Sequence, residues 1–300
     1  MIYALETNQL GKRYGKHWAL RNCTLQIPQG CIAGLLGLNG VGKTTLLHLA
    51  VGLLTPTEGT IDVLGMPSQN VEAILPHIGF VSQERSLYRH FSVQDTLTMG
   101  KKLNASWDEE RAHTLIKRLN LPTKRIIGKL SGGQQAQVAL IMALAKKPEV
   151  LLLDEPFAHV DPLAKREISK ILMETAVEQP ITIIVSSHIV ADLENICDHI
   201  VILTPSQVKV AENMEQMREL HKRFIGPCES FASIAKLHTV IQASHTGRQS
   251  TVLVRTTRPL TTPGWLAEDI SLEDIVLAYL ASQENPDTTL QPVQHMKEVL

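Results

Sequence analysis

The sequence predicts an α/β protein: a parallel sheet flanked by helices, with an N-terminal antiparallel β subdomain, an inserted helical subdomain and a small α+β accessory region at the C-terminus. Three observations lead there. Up to about residue 212, short runs rich in Ile, Val and Leu (31–36, 150–153, 181–185 and 199–203) alternate with helical stretches, the pattern of a parallel sheet covered on both faces. Residues 92–129 hold no convincing strand and read as a helical insert of about 92–130 in the α/β core. After Glu215 the alternation stops and a shorter, mixed pattern begins.

Taken in order, residues 1–14 alternate polar and apolar side chains. Helices are expected at 43–54, 107–120, 133–146, 162–178 and 189–197, between the apolar runs. The basic stretch with Arg218, His221, Lys222 and Arg223 reads as helical and ends at Gly226-Pro227. Two weak strands, 239–244 and 250–256, precede a last helix at 271–282, where Ser271 and Asp274 form a variant capping box. The expected domains are therefore 1–215, an accessory region 216–283 and a disordered polar tail 284–300. No repeat of 20–50 residues is visible, so one core is expected.

Composition removes several function classes. With 44% apolar and 20% charged residues the chain is an ordinary globular protein, neither fibrous nor unfolded. Lys plus Arg (29) balances Asp plus Glu (30), so no global field favours nucleic acid or an anionic surface. Cys23, Cys31, Cys197 and Cys228 form no metal knuckle or disulfide framework, which favours a reducing, cytoplasmic setting. No export signal is read at the N-terminus. The longest apolar runs, such as 138–145, fall far short of the about 20 residues a spanning helix needs, so the chain is expected not to cross a membrane.

The strongest chemical signal is Gly37-Leu38-Asn39-Gly40-Val41-Gly42-Lys43-Thr44, a GxxxxGK[ST] loop between an apolar strand and a helix. Its glycines let successive amides turn inward on phosphate oxygens, and the positive end of the following helix adds to the attraction. Lys43 should reach the β- and γ-phosphates and the Thr44 hydroxyl a magnesium ion, with Thr45 completing the candidate nucleotide contacts. This marks the core as a phosphate-loop NTPase. The strand 150–153 ends in Asp154-Glu155, whose side chains point apart at the strand edge where open α/β sheets bind ligands. Asp154 suits magnesium through water, and Glu155 suits a general base for the attacking water.

Leu130-Ser131-Gly132-Gly133-Gln134 lies 20 residues ahead of that strand, and Ser131 with two glycines opens a helix as a second anion site. With this string the sequence resembles the ATP-binding subunit of ABC transporters over roughly 1–212. The resemblance implies ATP and Mg²⁺ as cofactors and ATP held between two subunits, the Ser131–Gln134 cap of one closing on the γ-phosphate held by the other. It also implies that Gln83 touches magnesium and water, that His188 contacts the γ-phosphate, that Asp161 lies across the dimer interface and that Tyr14 stacks on adenine, with Trp18 as rival. Two positions depart from the pattern: Gln137, where many members carry arginine, and Ala158-His159-Val160 before Asp161.

The resemblance further implies an ATPase driving a separate membrane permease, seated near 84–95, in the cytoplasm at the inner face of the membrane. The second subunit is an identical or a related chain, and nucleic acid is not an expected partner. Ser271-Leu-Glu-Asp-Ile-Val-Leu-Ala is similar to a terminal motif of the bacterial drug-, antibiotic- and lipid-export branch, so export is expected. The rival is a soluble ABC-type ATPase acting on a ribosome, nucleic acid or assembly partner. Such proteins usually carry doubled cores or long coiled coils, which this sequence lacks.

Overall fold

The computed structural model describes residues 2–281. The chain divides into two compact units, Met1–Glu219 and Leu220–Leu300. The expected tail, 284–300, and the end of the expected accessory region lie outside the described residues.

The first unit opens with β1 (Tyr3–Tyr14) and β2 (His17–Pro28), a hairpin turning at Gly15. Next come β3 (Ile32–Leu36), α1 (Lys43–Ala50), β4 (Glu58–Val63), β5 (Met66–Pro67), α2 (Val71–Ile74) and β6 (Ile78–Val81). Strands β2, β1, β4 and β5 form an all-antiparallel sheet in that order. Its alternating inward residues Leu5, Leu10, Leu20, Leu25 and Ile27 share one buried cluster with Leu46, Leu47 and Leu49 of α1.

The helical insert follows as α3 (Val93–Leu103) and α4 (Glu109–Arg118), leading into α5 (Gly132–Leu144). Each start is chemically marked. Ser92 and Asp95 form a reciprocal capping box on α3, and the Asp108 carboxylate accepts the Arg111 N–H of α4. Glu109 and Glu110 at the start of α4 and Lys117 and Arg118 at its end complement the helix dipole.

The central sheet is completed by β7 (Val150–Leu153), α6 (Pro162–Glu178), β8 (Thr182–Ser187), β9 (His199–Thr204) and β10 (Gln207–Asn213), before α7 (Met214–Leu220). Its order is β10-β9-β3-β8-β7-β6. The five strands from β9 to β6 are parallel, and every residue of β3, β7, β8 and β9 is buried, which is why those runs are largely apolar in sequence. Strand β10 adds an antiparallel edge that the apolar-run pattern does not reveal, because it is only partly buried.

Two expected helices are corrected. Residues 189–197 form a 3-10 turn at Val190–Asp192 followed by turns. Ser187 Oγ accepts the Ile189 N–H and donates to the Ile189 carbonyl, a local pattern that competes with helical bonding at the point where a helix would start. The basic stretch is helical only through Leu220. From His221 the chain is strand, because each residue to Pro227 finds a partner across an antiparallel ladder and this pairing outweighs local preference.

The second unit contains β11 (His221–Pro227), α8 (Phe231–Leu237), β12 (Thr239–Thr246), β13 (Gln249–Arg255), β14 (Leu266–Glu268) and α9 (Leu272–Ala281). Its antiparallel sheet runs β12-β13-β11-β14 around a small core of Phe224, Ile234, Val252, Val254 and Trp265. Ser271 Oγ accepts the Asp274 N–H and starts α9. Gly226 is required by packing, since a Cβ there would sit 2.3 Å from the Trp265 ring. Gly226→Ala is expected to lower unit stability by about 1–3 kcal/mol, the usual cost of overpacking. Urea unfolding followed by tryptophan fluorescence checks this, and an unchanged midpoint counts against the packing described.

Candidate functional site

Strands β3 and β8 finish opposite each other, and β7 ends two residues earlier, so that Asp154 and Glu155 continue alongside the last residues of β8. Leu36 pairs with Ser187 across β3 and β8, and Leu153 pairs with Val185 across β7 and β8. The loop after β3, the two acids after β7 and His188 after β8 therefore emerge at one edge of the sheet, the carboxyl edge where α/β folds hold ligands.

The loop after β3 is shaped by glycine at two points. Gly42 has φ of 110°, and a Cβ there would lie 2.5 Å from the Ala19 carbonyl. A Cβ on Gly37 would lie 2.4 Å from the Leu203 carbonyl. No side chain caps α1, so the first-turn N–H groups and the positive end of its dipole face the loop, which suits an anion. Lys43 is buried, with Nζ donating to the Gly37 and Leu38 carbonyls at 2.8 and 3.2 Å and lying 3.2 Å from Glu155 Oε1.

A second network holds the acids. Ser186 Oγ donates to Asp154 Oδ1 at 2.7 Å and accepts the Glu155 N–H at 2.8 Å. Glu155 has φ of 47°, a left-handed conformation that costs a non-glycine residue energy and persists only where surrounding bonds impose it. His188 Nδ1 lies 3.0 Å from Glu155 Oε2. The Asp154 Oδ2 atom is buried and makes no hydrogen bond, an uncompensated acceptor that a cation would satisfy.

A cleft of about 570 Å³ lies along these groups. Of the expected residues, Asn39, Gly40, Gly42, Lys43, Thr44, Thr45, Gln83, Glu155 and His188 line it. Gly37, Leu38, Val41 and Asp154 belong to the same loop and strand end but do not line it. Tyr14, Ser131, Gly132, Gly133, Gln134 and Asp161 do not line it either. Tyr14 is about half exposed with Lys12 Nζ 5.5 Å from its ring centre, whereas Trp18 has the Arg13 and Arg21 guanidinium groups 5.3 and 5.6 Å from its ring.

The Ser131–Gln134 segment forms its own surface. Ser131 caps α5 through a reciprocal box with Gln134, and Ser131 and Gly132 are exposed. Gly133 is buried beside the loop after β7, where a Cβ would lie 3.0 Å from Asp161 Oδ2. Asp161 in turn caps α6, its Oδ1 accepting the Ala164 N–H at 3.0 Å.

Two features were not singled out from sequence. Ser186, which fixes both acids, is marked only by its place in Val185-Ser186-Ser187, between a buried strand and His188. The Lys165–Asp192 ion pair at 2.9 Å, which also lines the cleft, joins residues 27 apart with no local signature.

Comparison with known proteins places this arrangement. A family model described as ABC transporter matches residues 20–158. The chain is 29% identical over 228 residues to the bacitracin transport ATP-binding protein BcrA of Bacillus licheniformis, covering 75% of this chain and 74% of that protein. It is 31% identical over 262 residues to the sulfate/thiosulfate import ATP-binding protein CysA of a Synechocystis species, covering 83% and 74%. Among solved structures, cbiO1 of Clostridium perfringens, part of the ABC transporter complex cbiONQ, superposes with a TM-score of 0.61 at 30% identity, covering 71% of this chain and 89% of that one.

Ser186→Ala should leave the Glu155 N–H and Asp154 Oδ1 without their buried partner and lower stability by about 1–3 kcal/mol. Chemical denaturation measures it, and a midpoint equal to that of the parent chain would show that the bridge is not needed.

Proposed function

The chain belongs to the ATP-binding subunits of ABC transporters, a family of ATPases coupled to transport, and we propose that it hydrolyses ATP in the cleft between Lys43 and His188 to drive export through a separate permease. Members of this family dimerise and work with membrane permease components. Among the described residues no helix is long and apolar enough to cross a membrane. A permease partner would place the subunit on the cytoplasmic side, at the inner face of the membrane.

The observation that carries the reading is the convergence of Lys43, Glu155 and His188 beside an uncapped helix N-terminus. The amides of the loop and α1 hold the triphosphate, and Lys43 moves from Glu155 to the more highly charged β- and γ-phosphate oxygens. That exchange frees Glu155 Oε1 to take a proton from the attacking water. His188 keeps Oε2 oriented and reaches the γ-phosphate, and Gln83 positions the water. Tyr14 stacks on adenine. Thr44, Gln83 and Asp154 offer the oxygen donors that Mg²⁺ prefers, and the unpartnered Asp154 Oδ2 fits a nearby cation or its water. When bound, that ion neutralises charge on the phosphates.

The Ser131–Gln134 cap and Asp161 stand outside the cleft, which suits a role toward the site of a second copy or a related chain. Tyr88 and Phe91, stacked at 5.1 Å and partly exposed, support 84–95 as the seat for the permease. Export is supported by the sequence of α9. The likeness to a sulfate importer subunit favours a second reading, in which the same motor drives import.

Glu155→Gln is expected to leave ATP binding intact, trap a dimer and lower turnover by at least about 100-fold; a variant at full rate would reject the assigned base. Lys43→Ala should abolish tight nucleotide binding, and an unchanged ATP dissociation constant would count against the phosphate loop. Purification from membranes should recover a permease with the chain, whereas ribosomes without a permease would favour the soluble alternative. Transport assayed in vesicles of known orientation then separates export from import.

A further inference from the structure

Two residues beyond Gln83, Arg85 occupies a turn with φ of 49°, a conformation unusual for a branched-chain-free but bulky residue and one imposed by its surroundings. Its guanidinium is half-buried and is spent on backbone. Nη1 donates to the Gly132 carbonyl at 2.8 Å, and Nη2 donates to the Ala158 carbonyl. Gly132 belongs to the serine–glycine cap, and Ala158 to the loop that carries Asp161. Burial pulls the Arg85 pKa down, so its charge is placed there at a cost.

The two loops that Arg85 grips also touch each other through glycine. A Cβ on Gly132 would lie 3.1 Å from the His159 carbonyl, and one on Gly133 would lie 3.0 Å from Asp161 Oδ2. The glycines therefore let the two loops approach more closely than a side chain there would allow, which leaves them little room to slide independently. The planar fork of arginine offers two donors at a fixed angle, which matches two carbonyls on separate loops.

We propose that Arg85 is a positioning residue for the ATPase reaction: it clamps the 131–134 cap and the 158–161 loop into one rigid plate and joins that plate to the turn after Gln83. A displacement of the 84–95 segment is thereby delivered to both dimer-facing loops together. This rests on the reading of the cap and Asp161 as elements that face a second subunit. Arg85 itself touches neither nucleotide nor water.

The test compares Arg85→Ala and Arg85→Lys in the full chain by three measurements: affinity for a fluorescent ATP analogue, steady-state turnover, and amide hydrogen exchange. Arg85→Ala should lower kcat by about tenfold or more, on the scale of a remote misplacement of reacting groups, while analogue affinity stays within about threefold. Exchange should quicken together at 131–135 and 158–161 and stay unchanged at 40–46. Arg85→Lys keeps the charge without the fork and should recover only part of the turnover. A kcat within about twofold of the parent chain, or faster exchange in only one of the two loops, would overturn the proposal. So would parallel loss of affinity and turnover with faster exchange throughout, which marks a merely structural role. If Arg85→Ala does not fold, Arg85→Lys and Arg85→Gln carry the same comparison. The exchange result needs no turnover, so it stands apart from the cap reading, which fails separately if Ser131→Arg leaves turnover unchanged.

Discussion

The parallel register of β3, β8 and β7, which sets Leu36 opposite Ser187 and Leu153 opposite Val185, is the constraint on which the rest depends. Parallel pairing fixes which residues finish opposite one another, and here it brings a phosphate-shaped loop, two acids and a histidine to one edge. Ser186 turns that rough alignment into a fixed one, because a single hydroxyl satisfies Asp154 Oδ1 and the Glu155 N–H together. With those bonds in place, Glu155 holds its left-handed backbone and directs its carboxylate between Lys43 and His188.

The Lys43–Glu155 pair is better understood as a held charge than as a stabilising bond. At 3.2 Å and an effective dielectric of 20, the attraction is about 5 kcal/mol, while taking both ions from water costs several kcal/mol each. The two effects nearly cancel. Such a pair is readily exchanged for a stronger partner, and a triphosphate is one.

Much of this was legible in sequence because the chemistry is local. The phosphate loop, Asp154-Glu155 and Ser131-Gly132-Gly133-Gln134 are each contiguous, and their positions after a strand or before a helix reveal their backbone. The fully buried strands were legible too, since burial on both faces leaves a largely apolar run. What was missed depends on distant partners. Strand β10 and the strand from His221 exist because another strand pairs with them. The turn at 189–197 is the local exception, where Ser187, two residues away, competes for the Ile189 backbone and replaces a helix. Ser186, Arg85 and the Lys165–Asp192 pair work between segments 27 or more residues apart, where no local pattern announces them.

In the function proposed for this chain the cleft is half a site, completed by the serine–glycine surface of another chain. Mixing two inactive chains tests it most directly. One carries Lys43→Ala and the other Ser131→Arg, each with Glu155→Gln so that bound ATP is kept. Neither chain alone should form a dimer that retains ATP, but their mixture should, because a mixed pair contains one intact loop facing one intact cap. A mixture that forms no ATP-retaining dimer, or a Ser131→Arg chain that forms one unaided, would contradict the account.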